Sequence, residues 1–295
     1  MMNYEERTNA YEESAAGVFD REEWIAQKKA EREQAYEMIS QMCTMITIDG
    51  ERYKNCLDLI SRFGKYSPSN ILLLAAQKPD AKRLADFKSW KEAHVSIKKG
   101  ESGIIILEPG KEFTGKDGKT IRPFNAKKVF DVSQTSLPFA VEPSVKRDGK
   151  LLLRALIHHA PCSFRFADAS DMPVGVGARF IERENTIYVT RGPETDASFR
   201  WIAKELAAAH LKKDGYDPEL ADFAAVSIGY IIAARNGIDT AAYDFTKLPA
   251  NLEKLDEARV KQMVSKIREV SNTITNDMQQ LFDQHRDDKS RDDAR

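Results

Sequence analysis

Between Arg83 and Gly100 the chain reads RLADFKSWKEAHVSIKKG, where flat side chains alternate with cations: Phe87, Trp90 and His94 among Arg83, Lys88, Lys91, Lys98 and Lys99. That combination suits an unpaired nucleic-acid strand, because ammonium and guanidinium groups track phosphates while rings offer faces on which bases stack. Phosphate neutralisation makes such binding strongly salt-dependent, and each stacked base adds about 1–3 kcal/mol. Tyr66, Ser67, Asn70 and Gln134 supply polar groups able to contact sugar or phosphate without reading sequence, and Arg122 and Lys127 add further positive charge. Taken singly, Phe87 and Trp90 also fit rings that anchor a sheet.

These residues need a scaffold, and the apolar spacing supplies one. Residues 21–47 carry Trp24, Ile25, Ala35, Met38, Ile39 and Met42 near helical spacing, with a highly charged outer face. A second helix is predicted over 50–63 with Tyr53, Cys56, Leu57, Ile60 and Phe63 inside, ended by Gly64 as a glycine cap. A third restarts at Ser67–Pro68, a capping hydroxyl followed by a first-turn proline. Then come a strand or turn leading into a short helix near Trp90, the strand IIIL (104–107), a turn at Asp117–Gly118 and a strand at 127–135.

A Pro-containing polar stretch, 136–150, reads as a linker. Beyond it lie the helix LLLRALIHHA, a hairpin turning at Glu184–Asn185, and helices at 196–213 and 218–236. The last is framed by Asp217, Pro218 and Gly237 and is apolar nearly all round. An amphipathic helix is predicted over 252–284. The expected fold class is α+β: a tail (1–20), a domain of helices with a small sheet (21–135), the linker, a mainly helical domain with a short β-hairpin and a long C-terminal helix (151–285), and a disordered tail (286–295).

Composition bounds the rest. At 295 residues, 42% hydrophobic and 31% charged, the chain is long enough for two domains with their own cores. Its longest apolar runs, such as ILLLAA (71–76), fall far short of the roughly 18–20 residues that span a bilayer. The N-terminus lacks an apolar leader core, so the cytoplasm is expected and no membrane partner is. Cys43, Cys56 and Cys162 have no CxxC spacing and indicate neither disulfides nor a thiolate metal site. The net charge of −1 hides a basic block: residues 51–131 hold 17 Lys and Arg against 10 Asp and Glu, whereas residues 1–50 hold 5 against 11. A polyanion-binding surface fits that distribution, and so does a merely solvated face.

The series YSPSNILLLAAQKPDA, ADFKSWKEAHVSIKKGESGIIILEP and FNAKKVFDVSQT resembles the N-terminal domain of the ArdC antirestriction family over about residues 30–135, and is similar to LtrC-like proteins. The resemblance implies a single-stranded DNA-binding protein of a conjugative or mobile element. It also implies that residues 151–245 follow a zincin-type metallopeptidase layout. Such enzymes place HExxH on a helix because residues i and i+4 share a face, so two imidazoles hold zinc while the glutamate activates water. Here the matching run is KELAA: Lys204 and Ala208 stand at the histidine positions, Glu205 keeps the base position, and Val226 falls where the next helix should supply an acidic ligand. His210 projects from a different face, and the adjacent His158 and His159 diverge in direction. The expectation is a degenerate domain with no metal, cofactor or peptidase activity. A protein-docking role in a transfer or antirestriction system is the alternative.

Overall fold

Asp20 accepts hydrogen bonds from the backbone amides of Glu22 (2.8 Å) and Glu23 (3.3 Å), which starts helix α1 (Arg21–Ile48). Asp49 does the same for Glu51 and Arg52 at the head of α2 (Gly50–Arg62). Ser67 caps α3 (Pro68–Gln77) by accepting from the Asn70 amide at 3.3 Å. In this computed structural model, residues 20–114, 120–137, 148–191 and 194–292 are described. They form an α+β chain whose contacts divide it into two compact units, Met1–Met42 with Leu72–Val141, and Cys43–Ile71 with Glu142–Arg295. Residues 1–19 of the expected tail, the Asp117–Gly118 turn and most of the expected linker lie outside the described residues.

In the first unit, β1 (Leu84–Ala85) leads into the short helix α4 (Phe87–Glu92). The strands β2 (Ile104–Pro109) and β5 (Phe124–Asp131) follow, with the small antiparallel ribbon β3 (Phe113–Thr114) and β4 (Thr120–Ile121) between them. The sheet order is β1-β5-β2, all antiparallel, with Ile104 opposite Val129 and Leu84 opposite Asp131. The core joins Ala35 and Ile39 of α1, Leu72–Leu74 of α3, Trp90, Ile104–Leu107, Val129 and Phe130. Strand β2 would expose an unpaired edge, a liability for pairing with other chains. Gln77 fills part of it: its amide donates to Ile105 O (2.9 Å) and its Oε1 accepts from Ile105 N (2.8 Å).

The second unit is built on α5 (Gly149–Leu156), β6 (Ser163–Ala167), β7 (Ala178–Ile181), β8 (Thr186–Thr190), α6 (Thr195–Lys213), α7 (Pro218–Arg235) and α8 (Glu257–Asp292). Asn185 turns the β7–β8 hairpin in the left-handed conformation, at φ 45°. The hairpin is part of a larger sheet than the sequence suggested: β6 lies parallel to β8, giving the order β6-β8-β7. Helix α7 is the buried centre, with Ala224, Ile228, Tyr230, Ile231 and Ile232 all inside. Helix α8 continues to Asp292, past the end of the apolar periodicity.

Gly64 departs from its expected role. It does not take a left-handed φ. A Cβ there would stand 2.4 Å from Arg235 Nη2 and 2.6 Å from Asn272 Oδ1. The glycine makes room for the Arg235 guanidinium, which donates to Ile60 O (2.8 Å), Ser61 O (3.1 Å), Ser271 O (3.2 Å), Asn272 Oδ1 (2.9 Å) and Thr275 Oγ1 (2.9 Å). One half-buried cation thus satisfies carbonyls at the end of α2 and joins them to α8.

Candidate functional site

The first unit contains a groove of about 950 Å³ between the opening turns of α1 and the strand β5, with the start of α4 at one side. Six cations line it (Lys28, Lys29, Arg32, Lys88, Lys127 and Lys128) against four carboxylates, Glu31, Asp86, Glu101 and Glu108. Trp24, Ile25 and Phe87 supply apolar surface, and Phe87 is 41% exposed.

The floor cations are held in place. Lys127 Nζ lies 3.1 Å from Asp86 and 3.2 Å from Glu108, while Glu31 bridges Lys28 (2.9 Å) and Lys128 (3.1 Å). Burial alone would lower the Lys127 pKa, but the two carboxylates outweigh it and keep the ammonium charged. Burial likewise pushes the Glu31 carboxyl up, and its two lysines bring it below its ordinary value. The outer cations pair at the surface: Lys29 lies 3.8 Å from Glu33 and Lys88 3.4 Å from Glu92, exposed pairs of the kind worth little in water. Arg32 has no ion pair among the described residues.

Of the aromatic, cationic and polar residues singled out in the sequence for nucleic-acid contact, Phe87, Lys88 and Lys127 reach this groove. Trp90 does not. It is 2% exposed, packs with Phe130 and Val132, and donates from Nε1 to Phe130 O at 3.0 Å, so its ring has no face for a base. Arg83 lies over that ring, 5.4 Å from its centroid. Lys98 donates to Ser133 O (2.8 Å); Lys91 and Lys99 are exposed away from the groove lining. Arg122 stands 3.8 Å from Glu112, also outside the lining. Tyr66, Ser67 and Asn70 belong to the second unit, where Tyr66 packs edge-on against Phe63, Ser67 caps α3 and Asn70 is buried.

Gln134 is scaffold too, and it explains the FDVSQT segment. Asp131 accepts from the amides of Lys82 (2.7 Å), Arg83 (2.9 Å) and Ser133 (2.9 Å). Gln134 closes a capping box by accepting from Asp131 N (2.9 Å) while donating to Glu101 and to Ser102 O. Burial pushes the Asp131 carboxyl up, but those hydrogen bonds outweigh it and hold its pKa below the ordinary carboxylate value.

In the second unit, Lys204 on α6 binds Asp222 on α7 at 2.8 Å and Glu205 at 3.3 Å. Burial opposes that charge, yet the carboxylates hold the ammonium above its ordinary pKa. Glu205 is buried and accepts from the Phe180 amide of β7 at 2.8 Å. Ala208 and Val226 occupy the other two positions considered for ligands. His158 and His159 stack at 3.9 Å, with His159 Nδ1 3.7 Å from Asp277, and burial lowers the pKa of His210. Among the described residues, no three His, Cys, Asp or Glu side chains converge as a metal cage.

Comparison with known proteins places these features. Residues 28–140 match the family described as the N-terminal domain of anti-restriction factor ArdC. A 100-residue stretch is 33% identical to an uncharacterized protein of Bacillus anthracis, covering 32% of this chain and 17% of that one, about a sixth of the relative's length. The fold is shared with the antirestriction ArdC protein from plasmid R388. Its metal-free structure superposes with a TM-score of 0.52 at 16% identity, covering 73% of this chain and 86% of that one. Its Mn(II)-bound structure superposes with a TM-score of 0.51 at 14% identity, covering 72% and 85%.

Proposed function

We propose that this chain, whose residues 28–140 match the family described as the N-terminal domain of anti-restriction factor ArdC, is an ArdC-like mobile-element protein that holds single-stranded DNA in the groove between α1 and β5. The observation that carries this reading is the groove itself. Exposed Lys29 and Lys88 and half-buried Arg32 line it beside the exposed ring of Phe87, with lysines fixed by carboxylates. Phosphates pair with the outer cations and a base stacks on the phenyl ring. Rings unstacked from a duplex reach such a face; paired bases do not.

The second unit, in this reading, works without a metal and without peptidase chemistry. The R388 protein has been solved with Mn(II) bound, but the residues here at the positions that an HExxH layout gives to ligands do not fit a divalent ion. Lys204 places an ammonium where a ligand is needed, already paired to Asp222, and would repel a second cation. Ala208 and Val226 have no donor atoms. Glu205 is committed to the Phe180 amide.

Fluorescence anisotropy with a labelled oligo-dT and a duplex of the same length tests the groove. If the three solvent-facing cations each neutralise one phosphate, affinity falls roughly twenty-fold between about 50 and about 200 mM salt. Arg32→Glu with Lys88→Glu should weaken binding at the lower salt by about tenfold or more. Equal affinity for the duplex, or charge reversal without effect, refutes the assignment. Elemental analysis after dialysis against Mn(II) and Zn(II) should find well under one equivalent; a full equivalent overturns the metal-free reading.

A further inference from the structure

The sheet of the second unit has two edges, and they are treated differently. At β7 the Phe180 amide is taken by Glu205. At β6 nothing comparable is present among the described residues. Ser163 N donates to Asn185 O at 3.0 Å, which sets the phase of the parallel β6–β8 ladder. By the alternation of such a ladder, Ser163, Arg165 and Ala167 turn their backbone groups toward β8, while Phe164 and Phe166 turn theirs outward. Neither Phe164 nor Phe166 has another backbone partner among the described residues. Phe166 is 69% exposed, and the Arg191 guanidinium lies 4.8 Å from its ring centroid. Among the described residues, no proline, side-chain plug or neighbouring strand covers this edge, and its own charge is Arg165.

That charge selects the partner. Arg165 is the middle residue of β6, exposed and without an ion pair among the described residues. If two copies paired antiparallel through Phe164 and Phe166, the two Arg165 side chains would meet in the non-hydrogen-bonded position, where opposed side chains come closest. Like charges there disfavour the pair, and an acidic residue favours it. Nucleic acid has no alternating amide and carbonyl groups to satisfy Phe164 and Phe166.

We propose that β6 is a docking edge for an extended segment of another protein, added as an antiparallel strand with an acidic residue opposite Arg165. Main-chain bonds at Phe164 and Phe166 supply affinity and Arg165 supplies selectivity.

The test uses the full chain and two labelled peptides of alternating valine and threonine, identical except for a central glutamate or lysine. The glutamate peptide should bind about fivefold more tightly than its twin. Phe166→Pro removes an outward amide while sparing the β8 ladder, and should abolish binding with the thermal transition retained. Arg165→Glu, a surface change that leaves the fold intact, should invert the preference. Binding of neither peptide, equal affinity for both, or an unchanged preference in Arg165→Glu overturns the proposal. Self-association lost in Phe166→Pro would instead make the edge a contact between copies. Oligo-dT displacing the peptide, with oligo-dT affinity lost in Arg165→Glu, would assign the face to nucleic acid.

Discussion

Replacing Trp90 by phenylalanine separates a core role from a stacking role. The indole is 2% exposed and spends its one donor on Phe130 O. Phenylalanine keeps most of the ring volume and leaves that carbonyl without its partner, a cost of about 1–3 kcal/mol. For a domain of this size each kcal/mol moves the midpoint by about 4–8 °C, so calorimetry should show the first unit melting roughly 5–20 °C earlier. Trp90→Ala adds a cavity and costs about 3–5 kcal/mol, a large share of a typical domain's stability. Oligo-dT affinity of Trp90→Phe, measured well below its midpoint, should match the wild type within about twofold, since the base contact is assigned to another ring. Phe87→Ala should behave in the opposite way, with little change in midpoint and binding weakened about five- to hundredfold, the equivalent of one stacked base. A Trp90→Phe protein that melts normally but has lost tenfold or more in affinity, by the roughly 1.4 kcal/mol that a decade represents, would falsify the core assignment.

Two further outcomes follow from buried polar groups. Asp131 has its pKa depressed below the ordinary 3.8, so its contribution to stability is complete above the unfolded-state value and is lost as pH falls through the folded one. Chemical denaturation of the first unit should therefore weaken below about pH 4, and Asp131→Asn should flatten that limb; an acid limb unchanged by the substitution removes the capping box from the account. Gly64→Ala should destabilise the second unit by about 1–3 kcal/mol through overpacking against the Arg235 guanidinium. A neutral effect in urea titration would mean that Arg235 can retreat from its five acceptors at no cost.

Periodicity and end signals made most helices legible: Asp217, Pro218 and Gly237 bracket α7, and Ser67–Pro68 open α3. The strand β6 was not: SFRFA alternates polar and apolar residues, but it is only five residues long and its parallel partner lies about twenty residues on, joined by no turn signal. Local pattern could not tell inward from outward within the most recognisable segments. Trp90, Asp131 and Gln134 sit among cations and polar groups, yet all three face the core. The groove wall was hidden for a different reason. Lys28, Lys29 and Arg32 read as the solvated face of α1, and nothing within that helix says that β5 stands across from them. The ligand positions at Lys204, Ala208 and Val226 became visible only through resemblance; without it α6 is an ordinary helix.

The amide of Gln77 has a consequence beyond the sheet it completes. By imitating a neighbouring strand at a single rung, it interrupts the edge of β2 at Ile105, and the opposite border, β1, is only two residues long. Crowded copies of the first unit thus meet a broken backbone template at that rung, which hinders nucleation of an intermolecular ribbon. Glutamate at position 77 would restore the exposed carbonyl at Ile105 while removing its donor, and turbidity on concentration is where that loss of protection would first register.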